Sequence, residues 1–167
     1  MKTLIVYATN HGCTEKIAEQ MKDYLGGDVT LKNLKKESVP SPELYSRVIV
    51  GGSIHAGQVQ KKVKEFCRAN SALLLQKELG LFICCMEEGE VAQKQLENAY
   101  PEELLENAKA SAFFGGAFDF DRMNFLEKMV VKKVAQVRQS TSKVDSEEVR
   151  KFSKRMDRVF NPFLFLV

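Results

Sequence analysis

With 167 residues, 44% of them hydrophobic, the chain is long enough to bury one sizeable core and too apolar to be disordered. No apolar run approaches the ~20 residues that a membrane-crossing helix requires, so no segment is expected to span a bilayer as a helix. Net charge is only +3 but uneven: residues 122–158 carry 11 Lys/Arg against 5 Asp/Glu, and the residues before them 14 against 17. A solvated helix surface is the expected reading of that basic portion, with an anionic partner as the alternative.

In chain order, Lys2–Ala8 is a short apolar run that enters the polar cluster Thr9-Asn10-His11-Gly12, a strand followed by a loop. Ile17, Ala18, Met21 and Leu25 then recur on one helical face, which Gly26-Gly27 ends. Asp28–Leu34 alternates as an edge strand would, and Pro40-Ser41-Pro42 marks a loop. Arg47–Gly52 reads as a buried strand, and Val59, Val63, Phe66 and Cys67 as the apolar face of a second helix. Leu79–Met86 is a fourth strand, followed by the acidic loop Glu87-Glu88-Gly89-Glu90 and two short helices, Val91–Ala99 and Glu102–Ala110, separated by Pro101. Ala112–Phe118 is the fifth strand. Asp121–Val137 repeats Leu126, Val130, Val134 and Val137 on one side, a stripe expected to pack on the sheet. Asp145–Phe160 closes the series with a capping box of Asp145 and Glu148 and the stripe Val149, Phe152, Met156, Val159, Phe160.

Alternation of short apolar strands with helices predicts an α/β domain spanning residues 1–167, with a five-stranded parallel sheet covered on both faces. The strand–loop–helix opening favours the doubly wound order 2-1-3-4-5, whose ligands sit beyond the carboxyl ends of the strands. Cys13, Cys67, Cys84 and Cys85 have no metal-ligand spacing, and adjacent Cys84 and Cys85 would point to opposite faces of their strand. Together with an N-terminus that lacks a signal-peptide layout, they suggest a cytoplasmic protein with reduced thiols.

Three carboxyl-end loops carry chemistry. In Thr9-Asn10-His11-Gly12-Cys13-Thr14, two hydroxyls, a turn glycine and the amides of a helix start would surround a phosphate monoester. The loop holds no Lys or Arg, unlike nucleoside-triphosphate loops, so triphosphate hydrolysis is disfavoured; an ordinary polar turn is the alternative. Gly51–Gln58 follows the third strand, and Cys85-Met86-Glu87-Glu88-Gly89 the fourth.

The first loop, Thr-x-x-Gly-x-Thr between a strand and a helix, resembles the phosphate loop of the flavodoxins, with His11 where a Thr is usual and Cys13 where Asn or Gln is usual. Val-Ile-Val-Gly-Gly-Ser-Ile-His-Ala-Gly, together with the opening Met-Lys-Thr-Leu-Ile and Gly115-Gly116-Ala117, is similar to the flavodoxin-like protoporphyrinogen oxidases that deliver electrons to menaquinone. The resemblance implies a flavodoxin-like fold and noncovalent FMN. Thr9, Asn10, His11, Gly12, Cys13 and Thr14 would surround its phosphate. Ser53, Ile54, His55, Ala56 and Gly57 would cover one ring face, and Cys85, Met86, Glu87, Glu88, Phe118 and Asp119 would line the other side. Acidic neighbours there would push the flavin potential down.

The first function it implies is electron transfer to a redox partner protein or a quinone. The alternative is protoporphyrinogen oxidation with a quinone acceptor, against which the acidic Glu87, Glu88 and Glu90 stand where that branch tends to be basic. A second alternative is a module that has lost its flavin, since the loop lacks one Thr and the chain holds no Trp. No nucleic-acid partner and no metal site are expected; Asp119 and Asp121 lack a third ligand. His55 could donate a proton to reduced flavin, lie over the ring, or be an exposed turn residue. Cys13, at a helix N-terminus, would be oxidation-prone, with packing as the blander role. Met123–Arg138 combines apolar and basic residues and permits peripheral membrane contact, and 162–167 is an apolar ending that could dock on the body, a partner or a membrane.

Overall fold

The apolar run of β1 (Lys2–Tyr7) sorts its side chains by alternation: Leu4 and Val6 face one core, Ile5 and Tyr7 the other. A strand buried on both faces needs helices on both, and the computed structural model, which describes residues 1–118, 124, 126–129 and 141–158, supplies them. Around β1 the sheet assembles from β2 (Asp28–Asn33), β3 (Arg47–His55), β5 (Glu78–Cys85) and β6 (Ala110–Gly115) in the order β2-β1-β3-β5-β6, all parallel. Counted without the short β4 (Gln58–Val59), which pairs only with β3, this is the expected 2-1-3-4-5 arrangement.

On one face lie α1 (Cys13–Tyr24) and the last described helix, α6 (Ser146–Asp157), burying Ile17, Ala18, Met21, Val149, Phe152 and Met156. The other face is covered by α2 (Lys61–Ala69), α3 (Ser71–Leu74), α4 (Gly89–Ala99) and α5 (Glu102–Asn107). Cys84 and Cys85 fall in opposite cores, as their adjacency dictates. Phe82, Phe114 and Phe152 stack at centroid separations of 5.5–6.2 Å and lock α6 to the sheet. Gly51 admits the Phe82 ring, whose nearest atom lies 2.0 Å from where a Cβ would stand. At the amino edge of the sheet, Arg47 is 1% exposed and bridges Asp157 at 3.2 Å and Glu78 at 3.5 Å.

Several boundaries differ from the sequence reading. β3 continues three residues past Gly52 and returns as β4, so 51–58 is a hairpin rather than a loop, and Val59 is a strand residue just ahead of α2. β6 stops at Gly115 because the returning chain crosses there: a Cβ on Gly115 would lie 1.7 Å from the Lys143 carbonyl, and Lys143 N donates to Gly116 O at 2.8 Å. Ala117 and Phe118 instead form β7, antiparallel to β8 (Thr141–Ser142). Asp145 caps α6 by accepting from Glu147 N and Glu148 N, but the Glu148 side chain pairs with Lys151 instead of closing the box. Residues 126–129 are helical with Leu126 72% exposed, so this residue of the expected core stripe faces outward. Phe120, Asp121, Val130, Val134, Val137, Val159, Phe160, most of Met123–Arg138 and the ending 162–167 lie outside the described residues. Among the described residues no helix is long and apolar enough to cross a membrane.

Candidate functional site

Parallel strands bring their carboxyl ends, and the loops that leave them, to one rim of the sheet. At the centre is the turn from β1 into α1. Ala8 N donates to Gly51 O, tying the end of β1 to β3. Thr9 Oγ1 accepts from Gly12 N at 2.9 Å and closes the turn, while Gly12 adopts φ +87°, a conformation glycine takes without steric cost. The first helical bond runs from Lys16 N to Gly12 O, and Gly12, at the N-cap position, has no side chain with which to cap α1. The N–H groups of Cys13, Thr14 and Glu15 therefore precede the helical ladder, at the positive end of the helix dipole.

Two buried polar atoms in this loop are orphaned. Thr14 is fully buried, and its hydroxyl finds no oxygen or nitrogen partner, lying beside the Cys84 sulfur, a weak acceptor. His11 Nδ1 is likewise unpartnered, while its Nε2 lies 3.5 Å from the Glu127 carboxylate. Leaving a buried hydroxyl unmatched costs about 1–3 kcal/mol, and such a group calls for an explanation.

Two charges unforeseen in the sequence reach this loop. Lys35, just beyond β2, donates from Nζ to Asn10 Oδ1 at 2.8 Å, so the loop that lacks a basic residue of its own has one beside it. Glu127 arrives from residues 126–129. No short motif could have linked them, since 25 residues separate Asn10 from Lys35; the only signal was that β2 must end at the same rim.

The second element is the β3–β4 hairpin. Ile54 pairs with Val59 and His55 with Gln58, across a two-residue turn with Ala56 at φ 49° and Gly57 at φ 76°. Its base is clamped by Gln60, whose Oε1 accepts from Ser53 N at 2.9 Å and whose Nε2 donates to Ser53 Oγ at 2.5 Å. Gln60 is a positioning residue that the sequence reading missed. Ile54 packs into the core on the α2–α5 face. The next residue, His55, sets its ring edge-on to His11 at 5.8 Å, with Nε2 3.2 Å from Ser53 Oγ. Partial burial first, and then repulsion from His11, hold the His55 pKa below its ordinary value, which favours the neutral ring.

The third element, after β5, divides by alternation. Cys85 packs on the α2–α5 side, and its thiol donates to Glu87 O at 3.6 Å. Met86 is half-buried, with Sδ against the backbone of Gly116, at the end of β6. Glu87 and Glu88 are exposed, and Glu88 lies 3.7 Å from Lys143. The fold thus brings Thr9, Asn10, His11, Gly12, Cys13, Thr14 and His55 to one place and sends the Ile54 and Cys85 side chains into the core. The backbone of Phe118 belongs to β7, and Asp119 lies outside the described residues.

The donor set at the first loop is amides, hydroxyls, an imidazole and a neighbouring ammonium, with no carboxylate among residues 9–14. That chemistry fits a phosphate ester. Among the described residues, no group of acidic, His and Cys side chains could hold a metal ion. A cavity of about 380 Å³, lined by Lys64, Arg68, Asn98 and Tyr100 among others, opens between the ends of α2 and α4 and is separate from this rim.

A family model described as a flavodoxin domain matches residues 4–145. Across 171 aligned residues the chain is 23% identical to a protein of Escherichia coli (strain K12) named protoporphyrinogen IX dehydrogenase [quinone], covering 93% of this chain and 94% of that one. Among solved structures it superposes on oxidised flavodoxin 1 from Bacillus cereus with a TM-score of 0.62 and 14% identity, over 96% of this chain and 100% of that one. For oxidised flavodoxin 2 of the same organism the values are 0.59 and 21%, over 93% and 97%.

Proposed function

The chain belongs to the flavodoxin family, and from that premise we propose that, as one domain, it binds FMN at the carboxyl rim of its sheet and carries electrons between redox partners. The observation that supports this most directly is the pair of orphaned buried atoms, the Thr14 hydroxyl and His11 Nδ1, at the glycine-initiated start of α1. Bound FMN supplies the redox centre, taking up and releasing one or two electrons. The residues do the rest. Thr14 Oγ1, the amides of Cys13, Thr14 and Glu15 and the His11 ring hold the phosphate, and Lys35 adds positive potential from the side. Ser53 through Gly57, stiffened by Gln60, form a wall on one side of the ring, with the neutral His55 as its polar tip. Met86 and the carboxylates of Glu87 and Glu88 border the other side, where negative charge lowers the flavin potential.

The absorption spectrum of the protein as purified, and after incubation with FMN, tests this reading. Bands in the near-ultraviolet and blue that survive gel filtration are expected. Colourless protein that takes up no FMN overturns the proposal and favours a flavodoxin-shaped module without flavin.

A second reading makes the same site a protoporphyrinogen dehydrogenase with a quinone acceptor. Leu126 and Met129, 72% and 52% exposed, stand on the turn whose Glu127 reaches His11, and such apolar surface suits a flat hydrophobic substrate. The acidic Glu87 and Glu88 oppose a dianionic porphyrin, which ranks this reading below plain electron transfer. Anaerobic mixing of the FMN-loaded protein with protoporphyrinogen separates the two: bleaching of the blue band within seconds selects the dehydrogenase, and a persistent band selects the carrier.

A further inference from the structure

The His11 ring is engaged on one edge and orphaned on the other. Its side chain is 11% exposed, Nε2 faces the Glu127 carboxylate at 3.5 Å, and Nδ1 is buried without a partner. Glu127 is itself held in place. Its carboxylate accepts from Asn124 N at 3.2 Å while Asn124 Oδ1 accepts from Glu127 N at 2.8 Å, a reciprocal capping box ahead of the helical residues 126–129. The other titratable side chains around the loop are Cys13 and Glu15 of α1, Lys35 beyond β2 and His55 of the hairpin. Glu15 is engaged by Tyr7 OH at 3.0 Å, and Lys35 by Asn10. Burial first, and then repulsion from His11, favour the neutral form of His55, which leaves His11 as the imidazole placed to carry a charge.

A neutral imidazole has one donor and one acceptor. With its proton on Nε2, the ring donates to Glu127 and turns a lone pair at Nδ1 toward an anion in the loop. With its proton on Nδ1, it serves the anion and turns a lone pair toward the Glu127 carboxylate. Either tautomer sets a lone pair against a negative group. The imidazolium alone donates in both directions, and a carboxylate on one edge with a phosphate on the other stabilises that form twice over.

We propose that phosphate binding at the start of α1 is proton-linked: His11 takes a proton from solvent as the FMN phosphate is bound, and Glu127 is the positioning residue that makes the charged ring the one that fits. The inference rests on the FMN reading above. It supplies, inside a loop whose sequence holds no Lys or Arg, a positive charge that is present only with the ligand. Riboflavin, which lacks the phosphate, gives the ring no second anion and leaves it neutral.

The chain holds two histidines, so the ring-nitrogen NMR spectrum of protein labelled with ¹⁵N-histidine reads the test directly. At pH 8 an ordinary imidazole, with its pKa of about 6.5, is neutral. The flavin-free protein, alone or with riboflavin, is expected to show two neutral rings, and FMN to convert one of them to imidazolium. H11Q or H55Q, by the loss of one set of signals, identifies that ring. In E127Q, glutamine keeps the capping box and its amide can donate to Nε2, so the His11 ring is expected to stay neutral with FMN bound. Affinity carries the same signature. From pH 6.5 to pH 8.5 the wild-type FMN Kd is expected to rise by about 10-fold or more while the riboflavin Kd holds steady. The rise is expected to fall below about 3-fold in H11Q and E127Q and to persist in C13S, which separates it from titration of the thiol. The inference is overturned, with FMN binding left intact, if both rings stay neutral in the FMN complex at pH 8. It is overturned equally if His11 is already charged before FMN is added, if the charged ring is His55, or if E127Q keeps the full rise. Protein that binds no FMN between pH 6 and pH 8 overturns both this inference and the reading beneath it.

Discussion

Thr14→Val separates the ligand's contribution from the fold's, because the two respond with opposite sign. Valine keeps the branched shape of threonine and removes the hydroxyl. In the flavin-free protein that hydroxyl is fully buried and has no oxygen or nitrogen partner, so its loss relieves a penalty of about 1–3 kcal/mol and the variant is expected to match or exceed the wild type in stability. On the proposed reading, the same hydroxyl donates to the phosphate dianion of bound FMN, a bond to a charged group worth about 1.5–3 kcal/mol. Its loss is expected to raise the FMN Kd by about 10- to 150-fold. Urea unfolding of the apo-protein reads the first effect and quenching of FMN fluorescence the second, with Thr14→Ser as the control that retains the hydroxyl. A Thr14→Val variant that unfolds earlier yet binds FMN as tightly as the wild type refutes the assignment: the hydroxyl would then be structural, serving Cys84.

Three further outcomes follow from the same geometry. His55 is held below its ordinary pKa, so below about pH 6.5 the unfolded chain takes up a proton that the folded chain resists, and stability falls as pH drops through that window. In His55→Gln the decline in urea midpoint between pH 8 and pH 5 is expected to be shallower than in the wild type; equal declines contradict this. Lys35→Gln removes an exposed charge beside Asn10 and is expected to weaken FMN binding by less than about 5-fold, with a reduced dependence on salt, as a titration at two ionic strengths will register. Phe152→Ala opens the aromatic trio that fastens α6 to the sheet and is expected to cost about 3–5 kcal/mol in urea unfolding; a loss under about 1 kcal/mol would show that α6 is not anchored there.

The strands and their order were legible because apolar runs such as Leu4–Val6 and Val48–Val50 are buried on both faces, a state that leaves a continuous hydrophobic signature. Helix faces were legible where periodicity had a sheet to meet, as at Ile17, Ala18 and Met21. Leu126 carries the same pattern but is largely exposed, so pattern alone misassigned it. The β3–β4 hairpin escaped notice because β4 is two residues long and its turn begins with Ala56, a residue type that rarely adopts a positive φ. At the candidate site, the residues in one unbroken loop, Thr9 to Thr14, could be read directly. Lys35, Gln60, Cys84 and Glu127 could not, since each enters from another element and only the register of the sheet and the path of the chain bring it in.

The central claim is that the start of α1 grips a phosphate ester, and parallel titrations of the apo-protein with FMN and with riboflavin test it most directly. The two ligands share the ring and differ in the phosphate. At least two charge-assisted bonds to that group predict one FMN per chain and a riboflavin affinity lower by about 100-fold or more. Equal affinities, or no binding of FMN, would contradict the account.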